Sequence, residues 1–333
     1  MRKVTIEDIS RFTELSRGTV SRALNDRPDI SKKTKKRVIE ACRALNYVPS
    51  HAARSLATGR YFAVAVIIRD LHVALNADIL TGITTRASES NNVVYAYPVG
   101  RDASKIAAII QSLPLDRIDG IIVAADIDAP SARALADMAK EKTVSACMRT
   151  VGLSCDVFRP DRVEAGRLAG RALAPNEPRK VVYLERSAPE HAEAEALLGL
   201  REALAATTVT IEALAVNPLS EDFVDSLRGP LADADAVVAA DDWLALALSS
   251  VADRIDRKPG VDFDLIGQGN ERFGTCVKPA LATIDFLGIE IGERTMDAFL
   301  QRRAEQRGGA PQTVDVCAKL IRRPSLRSGG SQR

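Results

Sequence analysis

The residue types that could carry covalent or metal chemistry do not converge in this chain. His191, Glu193 and Glu195 have ligating side chains, but their i, i+2, i+4 spacing spreads them around a helix. With Pro189 just upstream, they read as an acidic first turn that suits the helix dipole. Gly267, Gln268 and Gly269 begin like a dinucleotide-binding turn, yet position 272 is Arg where that fingerprint needs Gly. Asp241 and Asp242 stand at an expected strand-to-helix corner, where such a pair serves as a cap plus one ligand contact or, in an enzyme, as an acid pair. No GxxxxGKS/T loop and no GxSxG elbow occurs. The five cysteines, Cys42, Cys147, Cys155, Cys276 and Cys317, are scattered without a CxxC pair, as expected of small core residues in a reducing compartment. We therefore expect no catalytic residue, no metal and no cofactor.

A clearer purpose attaches to the basic residues. Residues 1–60 hold fourteen Lys and Arg against six Asp and Glu, whereas the rest of the chain is net acidic. A small basic head on an acidic body is the footprint of a head that meets a polyanion, or else of a merely solvated basic surface. No run approaches the roughly 18 apolar residues of a membrane helix, and the first twenty residues are polar and patterned, so no membrane partner and a cytoplasmic protein are expected.

Helices must position these groups. Thr5 followed by Asp8 has the form of a capped helix start, and Ile6, Ile9 and Phe12 recur at helical spacing, with Leu15 closing the apolar set. Ser16 can cap a second helix from Arg17 to Leu24, in which Val20 and Leu24 point inward. The gap of about three residues is that of a helix-turn-helix. Ser31 starts a third helix, with Val38, Ala41, Cys42 and Leu45 inward and Lys32, Lys33, Lys35, Lys36 and Arg37 on the other face.

The run Val-Thr-Ile-Glu-Asp-Ile-Ser at 4–10 and the run Leu-Ser-Arg-Gly-Thr-Val-Ser-Arg-Ala-Leu-Asn at 15–25 resemble the head of the LacI/GalR repressor family. Ser31, Thr34, Arg37 and Val38, then Ala44 to Pro49, continue the likeness, and Ala52 to Ala57 resembles that family's hinge helix. Glu14 stands where the family usually has a small residue. The resemblance implies a sequence-specific DNA-binding transcriptional regulator, most simply a repressor. It would bind a near-palindromic double-stranded operator as a homodimer and answer to a small-molecule effector. Arg17, Gly18 and Arg22 would then meet base edges in the major groove, where the bases are distinguishable, and Leu56 would wedge a base step in the minor groove. Thr5, Ser16, Thr19, Ser21, Asn25, Ser31, Thr34, Tyr47, Ala53 and Arg54 would lie at phosphates. Each of the residues from Thr5 to Tyr47 in that set can equally be a cap or a solvated polar group, and Leu56 an ordinary linker residue.

After Arg60 strand-like runs alternate with helical ones, which argues for parallel sheets covered by helices. The strand-like runs include 62–68, 93–97, 118–124, 143–147, 180–184, 209–214, 236–239 and 264–267. Segments at 161–166, 199–204, 240–246, 279–284 and 320–325 also match the family, though more loosely. The resemblance implies an all-α helix-turn-helix head and an α/β two-lobed core like the periplasmic binding proteins, with two parallel doubly wound sheets and three crossings near 157–161, 285–288 and 317–320. The expected division is a DNA-binding domain at 1–48, a hinge at 49–60, a core at 61–324 and a flexible tail at 325–333. Within the core, lobe one spans about 61–159 and 288–318, and lobe two about 160–286 and 319–324.

In the ligand cleft this chain departs from its family. Ala196 and Gly269 stand where many members have an Arg and an Asp that hold a sugar, and Asp241 replaces a more common Asn. Candidate effector-binding residues are Arg149, Asp241, Asp242, Trp243 and Asn270. Arg69, Arg149, Arg162 and Arg186 fall near strand ends, which favours an acidic sugar or another small anion unless each is simply a surface arginine. A soluble sugar-binding protein without DNA activity, or an enzyme on the same fold, is the competing reading. The basic head speaks against the first, and the missing catalytic constellation against the second.

Overall fold

The computed structural model describes residues 4–24, 27–47, 59–100, 105–148, 150, 152–186, 191–304 and 309–328. The chain divides into two compact units, Met1–Phe62 and Ala63–Arg333.

The first unit is built from three short helices, α1 (Ile6–Thr13), α2 (Arg17–Leu24) and α3 (Lys32–Ala44). Each begins where a side chain can satisfy an orphan N–H. Thr5 and Asp8 form a capping box, in which the Thr5 N–H donates to Asp8 Oδ2 at 2.9 Å. The Thr19 N–H donates to Ser16 Oγ at 3.1 Å, and the Thr34 N–H to Ser31 Oγ at 3.1 Å. Ile9, Val20, Ala23, Val38 and Ala41 are buried at the centre, with Leu15, Leu24, Cys42 and Leu45 packed around them. Phe12 corrects the expected apolar set, because it is 59% exposed while Thr13 is buried. Thr13 follows Ile9 by four residues and so shares its face. Its hydroxyl donates to the Ile9 carbonyl at 2.7 Å, which removes the cost of burying it.

The second unit opens with strands β1 (Ala63–Ile68), β2 (Val93–Pro98), β3 (Gly120–Ala124), β4 (Thr143–Ala146) and β5 (Asp156–Pro160). Helices α4 (Ala74–Glu89), α5 (Lys105–Ser112) and α6 (Ala129–Met138) connect them. The chain then builds α7 (Arg162–Leu173), β6 (Lys180–Arg186), α8 (His191–Leu204), β7 (Thr210–Val216), α9 (Phe223–Ala232) and β8 (Ala236–Ala239). There follow α10 (Asp242–Arg254), β9 (Asp264–Gln268), β10 (Ala282–Asp285), α11 (Gly288–Ala304), β11 (Thr313–Val316) and β12 (Lys319–Ile321).

The strands form two six-stranded sheets, ordered β11-β5-β4-β3-β1-β2 and β12-β10-β9-β8-β6-β7. Pairing is parallel except between β10 and β12, a departure from two wholly parallel sheets. The two residues between β11 and β12 are too few for a crossover, so the strand enters the second sheet antiparallel. The chain passes between the sheets after β5, after β10 and after β11. Central strands β1, β3, β8 and β9 are buried along their length, which is why they read as continuous apolar runs.

Each lobe is closed by a helix pair that meets at glycine. A Cβ on Gly82 or Gly292 would lie 2.1 Å from a carbonyl of the facing helix in the α4–α11 pair. Gly166 and Gly199 show the same approach, at 1.9 and 1.8 Å, in the α7–α8 pair. Only a residue without a Cβ allows these backbones to touch.

The expected flexible tail is corrected at its start. Ser325 is buried, and its Oγ donates to the Leu265 carbonyl at 2.7 Å. Arg327 reaches the fully buried Asp264 through Nε at 3.1 Å and Nη2 at 3.0 Å. A buried carboxylate needs such a partner, and that need holds the segment down. No helix among the described residues is long and apolar enough to cross a membrane.

Candidate nucleic-acid interface and ligand cleft

In the first unit three residues, Glu14, Leu15 and Ser16, separate α1 from α2. Glu14 sits in the left-handed region at φ 53°, so the chain turns without glycine. Arg17 and Gly18 open α2 and are exposed, as is Arg22 one turn on. Space beside Gly18 is open apart from Ser16 Oγ, 3.8 Å from where a Cβ would be. Arg22 Nε lies 3.5 Å from Asp29 Oδ2, a half-exposed pair of little energetic weight that still aims the guanidinium. Ser16 and Ser31 are exposed; Thr19, Ser21, Thr34 and Tyr47 are half-buried. Ser16, Ser31 and Thr5 act as helix caps in the structure, and a cap at a helix N-terminus is also where N–H groups point at an anion. The exposed face of α3 carries Lys32, Lys33, Lys36 and Arg37, with Lys35 half-buried. Asn25, Ala53, Arg54 and Leu56 lie outside the described residues.

In the second unit the C-terminal ends of parallel strands are where an α/β fold places ligands. On the second sheet these ends carry Arg186 as the last residue of β6, Asp241 after β8, and Gly269 and Asn270 after β9. Asp241 caps α10, accepting from the Leu244 N–H at 2.7 Å through Oδ1. Its other oxygen accepts from Arg186 at 2.7 Å, and both partners are about 30% exposed. Trp243 is half-exposed and tilted against Phe273, with ring centroids 4.5 Å apart. Asn270 donates to Asp285 Oδ2 at 3.1 Å and accepts from Arg323 at 2.8 Å, so its amide braces the crossing after β10.

Asp242 differs from its neighbour. It is fully buried, accepting from Thr283 Oγ1 at 2.6 Å through Oδ1 and from the Glu271 N–H at 2.7 Å through Oδ2. A Cβ on Gly267 would fall 2.1 Å from Oδ1. Burial pushes the Asp242 carboxyl up to about 6, against the two hydrogen bonds that favour the charged form. Both oxygens are thus engaged inside the protein, and the residue ties β9 and β10 to the start of α10.

Of the expected cleft arginines, Arg69 pairs with Asp126 at 3.4 Å and Arg162 lies over the Phe286 ring at 4.4 Å from its centroid. Arg149 lies outside the described residues. Ala196 is buried, its carbonyl against Gly166. A concavity of about 740 Å³ at the outer edge of the first sheet is lined by Thr150, Ser154, Arg159 and Thr313, but Arg159 there is already paired with Asp315 at 2.6 Å. Among the described residues no group of three or more His, Cys, Asp or Glu could hold a metal ion. Sequence reasoning missed Glu271, Thr283 and the Arg186–Asp241 pair, because each acts through a partner on a distant strand.

Two family models match this arrangement. One, for bacterial regulatory proteins of the lacI family, covers residues 5–50, and the other, for periplasmic binding proteins and sugar-binding domains of the LacI family, covers 62–225. The chain belongs to the LacI family. It is a DNA-binding transcriptional regulator with a body of the periplasmic-binding-protein type. Among curated relatives of this LacI-family chain, the HTH-type transcriptional repressor PurR of Mannheimia succiniciproducens is 25% identical over 331 residues, 97% of this chain and 98% of the relative. PurR of Escherichia coli O139:H28 is 23% identical over 338 residues, 98% and 97% of the two chains. Among solved structures, the lac repressor dimer bound to operator and the anti-inducer ONPF has a TM-score of 0.77 at 19% identity, covering 98% of this chain and 100% of that one. A CelR–cellobiose complex has a TM-score of 0.70 at 22% identity, covering 97% and 100%. At these identities the two structures speak for the fold.

Proposed function

We propose that this protein is a homodimeric repressor that reads a near-palindromic operator through α2, and that a small molecule in the interlobe cleft sets its affinity for DNA. The observation that carries the reading is the head itself. A three-residue turn delivers Arg17 and Gly18, exposed, at the start of a helix whose other side is locked into a small core. A helix presented this way fits the major groove, and an arginine there can make a bidentate contact to guanine. A regulator of this kind would work in the cytoplasm, by binding DNA rather than by catalysis.

The test is base selectivity. Arg17→Ala is expected to cost about 1–3 kcal/mol on the preferred site and to relax selection at one base position per half-site. Lys33→Ala should instead weaken binding almost equally on every sequence. Competition assays on single-substitution operators separate the two, and full selectivity in Arg17→Ala would mean that α2 is not the reading helix.

For the effector we favour an acidic sugar or another small anion. Ala196 is covered by α7 and Gly269 has no side chain, so neither supplies an anchor for a neutral sugar. Arg186 is held by Asp241 through Nε and Nη2, which leaves its remaining N–H groups for a carboxylate. Asp241 can accept from a hydroxyl, and the exposed Trp243 offers a face to a ring. Calorimetry with glucuronate, gluconate and their neutral parent sugars tests this. Binding of the acids that drops at least about tenfold in Arg186→Ala is expected. Micromolar binding of a neutral hexose that Arg186→Ala leaves intact would overturn it.

A further inference from the structure

We propose that Glu271 is a latch that holds the two lobes of the body together across the cleft. Its carboxylate Oε1 accepts from the Ala74 backbone N–H at 2.9 Å, a contact between residues 197 apart in sequence. Ala74 is the first residue of α4, which follows β1 in the first sheet, whereas Glu271 follows β9 in the second. The bond therefore joins the ligand-facing edges of two different lobes.

Both ends have a structural reason to meet. The first N–H groups of a helix have no partner within it, and they attract negative charge. Helix α4 lacks the usual local remedies, since its N-cap is Val73, with no side-chain cap, and its first turn carries no acid. Its cap comes instead from the other lobe. Glu271 is in turn fixed at its backbone, where its N–H donates to the fully buried Asp242, which also accepts from Thr283 on β10. The acceptor is thus pinned to the core of the second lobe and the donor to a helix of the first. A movement that draws the start of α4 away from the segment after β9 must break the contact.

The surroundings keep the latch from being permanent. Asp78, one turn along α4, has its carboxyl pushed up by burial and by the nearby charges of Asp285 and Glu271, with Arg272 acting against them. Like charges near the contact oppose closure, so the Glu271 hydrogen bond acts against a local repulsion. A latch of this kind gives the cleft a closed state that a ligand can either consolidate or replace.

Two substitutions remove the bond from opposite sides. Glu271→Ala deletes the acceptor, while Glu271→Gln keeps a carbonyl oxygen at the same place. Ala74→Pro deletes only the donor. Proline suits the first helical position, and Val73 before it is already extended, at φ −90° and ψ 121°, as a pre-proline residue must be. Hydrogen exchange on the full chain gives a readout that local damage would not produce. Ala74→Pro, made in the first lobe, is expected to speed exchange of the Glu271 N–H in the second lobe by about tenfold or more. Glu271→Ala should speed exchange in the first turn of α4 by a similar factor, the double variant should do no more than either single one, and Glu271→Gln should stay near the parent. Unchanged exchange at Glu271 in Ala74→Pro, or additive effects in the double variant, would overturn the latch. The regulatory meaning rests on the function proposed above, and operator affinity in the same variants tests that separately. Both singles should shift it in the same direction and by the same factor, whereas the exchange result involves no DNA and stands or falls alone.

Discussion

Raising monovalent salt from about 50 to about 200 mM will lower operator affinity by something on the order of a thousandfold or more. Each head carries exposed Lys32, Lys33, Lys36 and Arg37 on α3 as well as Arg17 and Arg22 on α2. Lysines and arginines that neutralise phosphates release condensed counterions, so the logarithm of affinity falls linearly with that of salt, with a slope close to the number of phosphates neutralised. Two heads of this composition engage six or more phosphates in total. Fluorescence anisotropy on a labelled duplex across the salt series gives the slope directly. A flat response would remove the basic head from the interface. A slope only half as steep would mean that one head binds at a time.

The second large effect concerns the buried carboxylate of the body. Asp242→Leu should be about 3–5 kcal/mol less stable than Asp242→Asn, because it strands the Thr283 hydroxyl and the Glu271 N–H and crowds the backbone at Gly267. Asparagine keeps the shape. Its oxygen can take the Glu271 N–H, and its amide can donate to the Thr283 oxygen. The comparison with the parent depends on pH, since the folded-state value of about 6 lies above the ordinary value of 3.8. A carboxyl raised in this way binds protons more readily when folded, so its contribution to stability is greatest below about pH 4 and falls as pH rises to about 6. The shift corresponds to about 3 kcal/mol. In urea unfolding, the stability of Asp242→Asn relative to the parent should therefore drop by about that amount between pH 7 and pH 4. A difference that does not change with pH would show that Asp242 is not a desolvated, charged group at neutral pH.

Legibility in the sequence followed the range of the interactions involved. Thr5, Ser16 and Ser31 cap helices within three residues of themselves, so the head could be read from local pattern, turn included. Phe12 is exposed against the spacing because i+3 and i+4 both suit a helix, and only the packing of α1 decides that Thr13 faces in. In the body, fully buried strands such as β1 and β3 stand out as apolar runs. Strand β5 contains Asp, Arg and Pro, β12 has three residues, and α9 has Pro230 inside it, so none of these carries a local signature of its own. The fixed start of the tail depends on Asp264, more than sixty residues before Arg327. The cleft shows the same limit. Asp241 and Asp242 are adjacent and chemically alike, yet one is an accessible cap paired with Arg186 and the other is a buried tie between strands. What separates them is the position of Thr283 and Glu271, which only the sheet order brings near.

The central claim, a dimer that reads an inverted repeat through α2, is tested most directly by selecting binding sites for the full chain from a library of random duplexes. The account predicts enrichment of a near-palindromic sequence whose half-sites lie one helical turn apart, or a multiple of one, with a guanine position in each half-site that loses its preference in Arg17→Ala. A selected pool as random as the starting library, or an enriched motif without two-fold symmetry, would contradict it.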